Sequence, residues 1–460
     1  MEPKLVAVGA RAVALRYCVS RRFPQIEGVS DSHPIQVVVL GAGFGGLTFC
    51  QNFRHPDARI TVVDRTNHHL FQPLLYQVAA CGLSATEIAQ PIRAILSERS
   101  DVTVLFNRVV GIDLEHRRVQ LESGELPYDY LVLALGGQTS YFGHPEWEQF
   151  APGLKTLADA LQIRSQILLA FEKAENATDP QERDRLMTIV VVGGGPTGVE
   201  LAGAFAELAR TVLNQDFRRI DPSKARIILI EGSPLVLSHL PAELSASAQR
   251  QLTALGVEIR NNVRVQAIRA NEVELADGRI IHAGTIIWAA GVSASPLTQQ
   301  LGVELDRGGR IKVKSDLSLP GHPEVFAIGD LASLLQSDGK PVPGVSPAAM
   351  QMGRHVAAII EAELNSPGGT PARPPFEYRD KGTMATIGRS AAVAWIGRFR
   401  FSGLLAWLTW LFVHLIFLVG FRNRVAVLFQ WAYSYFSFRR SARIITYPPA
   451  SDADPKSAAK

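Results

Sequence analysis

The sequence predicts an α/β chain with two Rossmann-like dinucleotide-binding domains, closed by apolar, membrane-binding helices. Three observations carry this reading. A strand–glycine–helix–strand–acid pattern opens at Ile35, and the same pattern returns at Thr188. Near the C-terminus, Phe401 to Phe421 is a run of 21 residues without a formal charge, bracketed by Arg398 and Arg400 and by Arg422 and Arg424.

The chain has 460 residues, enough for two or three domains with their own cores. Charged residues make up 20% and the hydrophobic set 47%, which excludes disorder over most of the length. A net charge of +4 is too small to imply a nucleic-acid partner. Cys18, Cys50 and Cys81 show no CxxC spacing, which excludes a local disulfide framework and a zinc ribbon and fits a reducing compartment. Cys50 falls inside a helical pattern and reads as a small core residue. Residues 1–34 carry Arg11, Arg16, Arg21 and Arg22. They read as a disordered N-terminal extension, with an amphipathic targeting segment left open and no function assigned.

In the first pattern, "IQVVVL" suits a buried parallel strand. Gly41 makes the tight turn, Gly43 lets the backbone approach a pyrophosphate, and Gly46 lets helix and strand pack closely. The helix N-terminus then faces the phosphates, and Asp64, ending "RITVVD", can accept from a ribose. In the second pattern, "TIVVVGGGPTGVEL" supplies Gly193, Gly195 and Gly198, and "RIILIE" ends in Glu231 after a polar insertion, "NQDFRRIDPSKA". Two complete fingerprints mean two dinucleotides. A carboxylate at Glu231 would bond a free 2′-hydroxyl and repel a 2′-phosphate, favouring NAD over NADP.

A third signal, "EVFAIGDLA", is a short strand ending at Gly329 and Asp330. With it the chain resembles the two-dinucleotide flavoprotein family of pyridine nucleotide oxidoreductases. The resemblance implies that the first fingerprint holds the adenosine of FAD and that Gly329 and Asp330 contact its ribityl and phosphate part. It also implies an NAD domain inserted between two halves of the FAD domain. "YLVLALGG", with Gly136 and Gly137, and "TIIWAAGV", with Ala290 and Gly291, resemble the strands that lead out of the two folds. The implied domains are 35–150 and 301–398 for FAD, the latter with the quinone side, 151–300 for NADH, 399–446 for the membrane and 447–460 as a disordered tail.

Cys50 stands alone where disulfide reductases need a redox-active pair. "HHLFQPLLYQVAACGLSATEIAQPIR" and "DKGTMATIGR" are similar to segments of the type II NADH dehydrogenases, the non-proton-pumping NADH:quinone oxidoreductases. That resemblance implies FAD and NADH as cofactors and a membrane quinone as acceptor. It sets His69, Phe71, Gln72, Pro73 and Leu74 near the isoalloxazine. It places Glu200 by the nicotinamide carboxamide and Glu172 on the quinone side, where a solvated helix carboxylate is the equal alternative. Lys381 is expected beside the flavin, as a cation that favours its reduced anion, or as an exposed loop lysine. The family's paired-glutamine motif is altered to "SPAAMQMG": Ser346 and Pro347 replace Ala-Gln, so Gln351 becomes the candidate quinone contact, with a helix-surface amide as the bland alternative.

No metal, catalytic triad or nucleic acid is expected, and a homodimer is allowed. The runner-up readings are an FAD-dependent NADH reductase for a soluble redox protein and a membrane-tethered nicotinamide sensor. In the tail, Arg400, Arg422, Arg424, Arg439, Arg440 and Arg443 interleave with Trp407, Trp410, Trp431, Tyr433 and Tyr435. That mixture suits an anionic lipid surface, and the resemblance implies the cytoplasmic face of a bacterial inner membrane. The tail is expected to form two helices over residues 401–438, separated near Gly420 to Arg424 and lying on the bilayer. His414 reads as an interfacial or interhelical polar group rather than a ligand.

Overall fold

Largely apolar, branched runs make the strands of two sheets that are parallel but for one antiparallel edge pair, the composition of strands covered on both faces. From Ile35 the chain runs through β1 (Ile35–Leu40), α1 (Phe44–Asn52), β2 (Ala58–Asp64), the short helix α2 (Leu75–Ala79), β3 (Val102–Phe106) and β4 (Tyr130–Leu133). It leaves by β5 (Gly137–Thr139) and α3 (Leu157–Asn176). A second sheet follows: β6 (Thr188–Val192), α4 (Pro196–Glu207), β7 (Arg226–Ile230), α5 (Ala242–Ala254), β8 (Val257–Arg260) and β9 (Thr285–Trp288). The return runs by β10 (Val292–Ala294) to β11 (Ser318–Leu319) and β12 (His322–Ala327).

This computed structural model describes residues 33–366, 371–437 and 442–445. The expected N-terminal extension, apart from His33 and Pro34, and the expected tail over 447–460 lie outside the described residues. The first sheet is ordered β11-β12-β4-β1-β2-β3 and the second β8-β7-β6-β9. Every strand of the second sheet therefore falls, in sequence, between β4 and β11 of the first. The outgoing and returning segments pair as an antiparallel ribbon, Gly137 with Ala294 and Thr139 with Val292. The polar insertion after α4 holds two single 3₁₀ turns, and the Glu175 carboxylate accepts from the N–H groups of Arg218, Arg219 and Ile220.

Helix α6 (Ser346–Leu364) starts with Pro347 in its first turn, where a missing N–H costs nothing, and lies against α1. At their closest point a methyl added to Gly353 would strike the Gly45 carbonyl. The chain then forms an antiparallel sheet, β13 (Thr383–Gly388), β14 (Ala391–Ile396) and β15 (Phe399–Ser402), seated on α4. Gly203 of α4 leaves no room for a side chain beside the Ile387 carbonyl.

The tail forms two helices, α7 (Leu404–Phe417) and α8 (Phe421–Ser437), parted at Leu418–Gly420, where Gly420 has φ +87°. Their inner faces bury Ala406, Trp410 and Val427, and their outer faces leave Leu405, Leu408, Phe412, Phe429 and Phe436 exposed. At 1.5 Å per residue α7 is about 21 Å long, short of a hydrocarbon core of about 30 Å. No helix among the described residues is long and apolar enough to cross a membrane. Arginines expected at headgroup level also serve the protein. Arg424 Nε donates to the Leu418 carbonyl at 2.8 Å, and Arg400 pairs with Glu243 of α5 at 3.0 Å.

Candidate active site

The first crevice opens at the carboxyl ends of β1 and β4. Gly41, at φ +99°, turns so close under Ala134 that an added methyl would strike the Ala134 carbonyl. Gly46 packs in the same way on the Gly41 carbonyl. Gly43, by contrast, has no protein atom within 4 Å of where a side chain would start, so the backbone at the α1 N-terminus faces open space. Asp64 Oδ2 accepts from the Ala42 N–H at 2.7 Å, and Oδ1 accepts from the Thr66 N–H at 2.7 Å and the Thr66 hydroxyl at 2.8 Å. The acid thus pins the glycine turn and keeps lone-pair capacity for a ribose.

Around this crevice stand the other residues expected at a flavin. Gly136 has φ +69° and open space above it. Gly137 abuts both Val292 and the Asp330 carboxylate, whose Oδ2 lies 3.1 Å from where a Gly137 side chain would begin. Gly329, at φ +67°, donates its N–H to the Met352 sulfur at 3.2 Å. His69 is buried and its Nδ1–H donates to the Ala42 carbonyl at 2.9 Å; burial pushes its pKa down, so it stays neutral. Gln72 is exposed and ties its loop to the start of α3 by donating to the Lys155 carbonyl at 3.0 Å.

The second crevice repeats the first at the ends of β6 and β9. Gly193, at φ +111°, is pressed against Ala289 and Ala290, with an added methyl 2.8 Å from the Ala290 nitrogen. Gly198 packs on the Gly193 carbonyl, and Gly195 again faces open space. Glu231 Oε2 accepts from the Gly194 N–H at 2.5 Å and Oε1 from the Ser233 N–H at 2.7 Å. The longer interval before this acid changes nothing in the geometry. Gly291, at φ +80°, lies under the ring of Phe142.

Between α4 and β13 sits Glu200, whose carboxylate accepts from the Thr386 N–H; burial outweighs that bond and pushes its pKa up to about 8. Gln351 is not a free surface amide. Its Nε2 donates to the Arg379 carbonyl and its Oε1 accepts from the Arg379 N–H, both at 3.0 Å. It therefore clasps the strap that leads to the exposed Lys381. Glu172 lies on the exposed face of α3, and among the described residues no hydrogen bond or ion pair joins its carboxylate to either crevice. Cys50 and Cys81 are buried, and burial pushes the Cys50 thiol up to about 12, where it is inert.

Sequence reasoning did not reach the link between the first crevice and the tail. Phe44, first residue of α1, packs edge-on against Phe71 with ring centroids 5.9 Å apart, and Phe71 meets His414 of α7 at 6.3 Å. His414 stacks on Trp410 at 4.1 Å and donates Nδ1–H to the Trp410 carbonyl at 2.7 Å; burial lowers its pKa to about 4. Trp431 of α8 donates its indole N–H to Gln77 Oε1 of α2 at 2.8 Å. The available signal was the aromatic spacing in "LAWLTWLFVHL" and "LLYQ", which carries no information about partners.

Residues 35–353 match the model of the family described as pyridine nucleotide-disulphide oxidoreductase, and residues 381–440 match the NDH2 C-terminal domain. The chain is 45% identical to the "Type II NADH:quinone oxidoreductase Ndh" of Mycobacterium tuberculosis, over 89% of this chain and 90% of that one. It is 31% identical to the type II NADH:quinone oxidoreductase of Haemophilus influenzae, over 78% and 86% of the two chains. Among solved structures, NDH2 from Plasmodium falciparum in complex with NADH superposes with a TM-score of 0.83 at 19% identity, covering 89% of this chain and 99% of that one. At that identity it speaks for the fold alone.

Proposed function

The chain belongs to the type II NADH:quinone oxidoreductases, and from that premise we propose that it oxidises NADH in the aqueous phase and reduces a membrane quinone to quinol, with FAD as resident cofactor. The first crevice fits FAD: the α1 N-terminus faces open space at Gly43, and no protein hydrogen bond or ion pair takes the half-buried Asp330 carboxylate among the described residues. Gly41, Gly43, Gly46, Asp64, Gln72, Gly136, Gly329 and Asp330 are read as its holders. Gly193, Gly195, Gly198, Glu231, Ala290 and Gly291 are read as holders of NADH. Bound FAD supplies the two-electron centre between nicotinamide and quinone.

What the chain itself contributes is placement, charge and protons. Glu200, a half-buried residue whose carboxyl is desolvated enough to stay protonated at neutral pH, is read as the carboxyl that holds a proton close to the reacting groups. Gln351 is read as the clasp that positions the strap, and Lys381 as the cation at its end. Glu172 contributes a carboxylate at the surface of α3. No thiol relay is available from the two buried cysteines. With no described helix able to cross a bilayer, the reading is of an enzyme that lies on the membrane and does not pump protons.

The single observation that carries a quinone acceptor is the contact series Phe44–Phe71–His414–Trp410. It joins the first fingerprint directly to a helix whose outer face is exposed and apolar. A soluble protein acceptor gives no reason for Leu405, Leu408, Phe412 and Phe429 to face outward together, whereas a lipid surface does. The test is a panel of quinones of graded chain length with purified protein in detergent, beside a soluble electron-carrier protein. Flavin reduced by NADH should reoxidise rapidly with quinones and slowly with the carrier; the opposite order defeats the proposal.

A further inference from the structure

In the second sheet the strand order turns back at β6, with β7 and β8 on one side and β9 on the other. Ligands of open α/β sheets sit in the crevice at that switch point. Glu231, at the end of β7, marks the adenosine side of a dinucleotide lying across it. The nicotinamide half therefore falls on the side of β9, over Ala289, Ala290 and Gly291.

Phe142 reaches this side from the linker that follows β5. Its ring lies against Gly291, so closely that a methyl added there would be 2.7 Å from Phe142 Cζ. The linker is held in place from below: Trp288 donates its indole N–H to the Ser140 carbonyl at 2.8 Å. Phe142 itself has φ +51°, a conformation that disfavours any residue with a side chain, and most of all a bulky one. Burial does not repay this strain, because the residue is 67% exposed. Its one ring partner among the described residues is Trp288, edge-on with centroids 6.2 Å apart. A strained backbone that holds a large apolar ring in the open, at the mouth of a nucleotide crevice, needs a reward the protein alone does not supply.

We propose that Phe142 is a binding residue for NADH, the aromatic surface against which the nicotinamide–ribose half is held at the β6/β9 crevice. It rests on the assignment of the second crevice to NADH. The linker out of the first half of the chain thereby lends a side chain to the second dinucleotide and sets its reactive end.

The experiment uses the FAD-loaded enzyme and three variants: Phe142→Gly, Phe142→Tyr and Gly195→Ala. The readouts are NAD+ affinity by titration, thermal stability, and the rate of flavin reduction by NADH, with reoxidation by a short-chain quinone as the internal control. Glycine adopts φ +51° without cost, so Phe142→Gly should match or exceed the wild-type melting temperature. It should nevertheless bind NAD+ about three- to tenfold more weakly, as loss of one aromatic contact implies, and reoxidise at an unchanged rate. Phe142→Tyr should restore NAD+ affinity. Unchanged affinity in Phe142→Gly, or equal loss in Phe142→Tyr, overturns the proposal and leaves the ring as packing for Trp288. Gly195→Ala adds a methyl that meets no protein atom within 4 Å, so it fills ligand space without disturbing the fold. If NAD+ affinity ignores that variant, the failure lies with the crevice assignment and not with Phe142.

Discussion

Glu231→Gln is expected to do two opposed things, because Glu231 holds the protein as well as facing the ligand. Its two oxygens accept from Gly194 and Ser233 at 2.5 and 2.7 Å. An amide offers one acceptor and one donor, so one of those N–H groups would face another N–H. Losing a hydrogen bond to a charged acceptor costs roughly 1.5–3 kcal/mol. If about half of that is felt at the bound nucleotide, kcat/KM for NADH falls about four- to tenfold. The NADPH side runs the other way. A 2′-phosphate of charge about −1.5 set about 5 Å from a carboxylate, at an effective dielectric of about 40, is repelled by about 2.5 kcal/mol. Removing the charge should then raise the NADPH:NADH ratio of kcat/KM by about 60-fold. The assay is steady-state turnover with a short-chain quinone at fixed ionic strength, with flavin content measured to show that the first crevice is intact. A ratio that does not move would show that Glu231 does not face the 2′ position. Unchanged NADH kinetics would show that the Gly194 clasp contributes little to binding.

Two further outcomes can be checked. Glu200 has a pKa raised from an ordinary 4.5 to about 8. The unfolded chain therefore releases its proton first, and stability falls as pH rises from about 4.5 to about 8 and is flat above. The shift sets a ceiling near 5 kcal/mol, at about 1.36 kcal/mol per unit, and roughly 1–3 kcal/mol remains after allowing for water at this half-buried side chain. Glu200→Gln should flatten the melting temperature against pH across that window and slow quinone reduction; an unchanged slope refutes the assignment. On the outer face of the tail, the double change Phe412→Glu and Phe429→Glu puts charge where a lipid surface is proposed. It should free the enzyme from anionic vesicles while leaving short-chain quinone turnover within about twofold, and vesicle binding at wild-type strength would sink the docking proposal.

The features legible from the sequence are those whose cause is local. Gly46 and Gly198 must be glycines because each turn brings them onto the carbonyls of Gly41 and Gly193, whose own positive φ also calls for glycine, so the spacing alone announces both crevices. Cys50 as a core residue was readable from its helical pattern, whereas the break expected near Gly420 to Arg424 falls at Leu418–Gly420, with Arg422 and Arg424 already inside α8. The rest depended on atoms brought from far along the chain. The strip "LLAWLTWLFVHLIF" is apolar on every side, so only its seat on α2, β13 and β14 decides that Trp410 is buried and Phe412 exposed. Gln351 reads as a free amide until Arg379 arrives from 28 residues away to take both of its hydrogen-bonding atoms. Phe142 carries no sequence mark of its left-handed backbone, which no periodicity encodes and which the pairing of β5 with β10 imposes by holding the linker against Gly291. Periodicity and glycine spacing report what a segment requires of itself. Which polar group is satisfied, which face is covered and which ring is left in the open are settled only when distant segments compete for the same space.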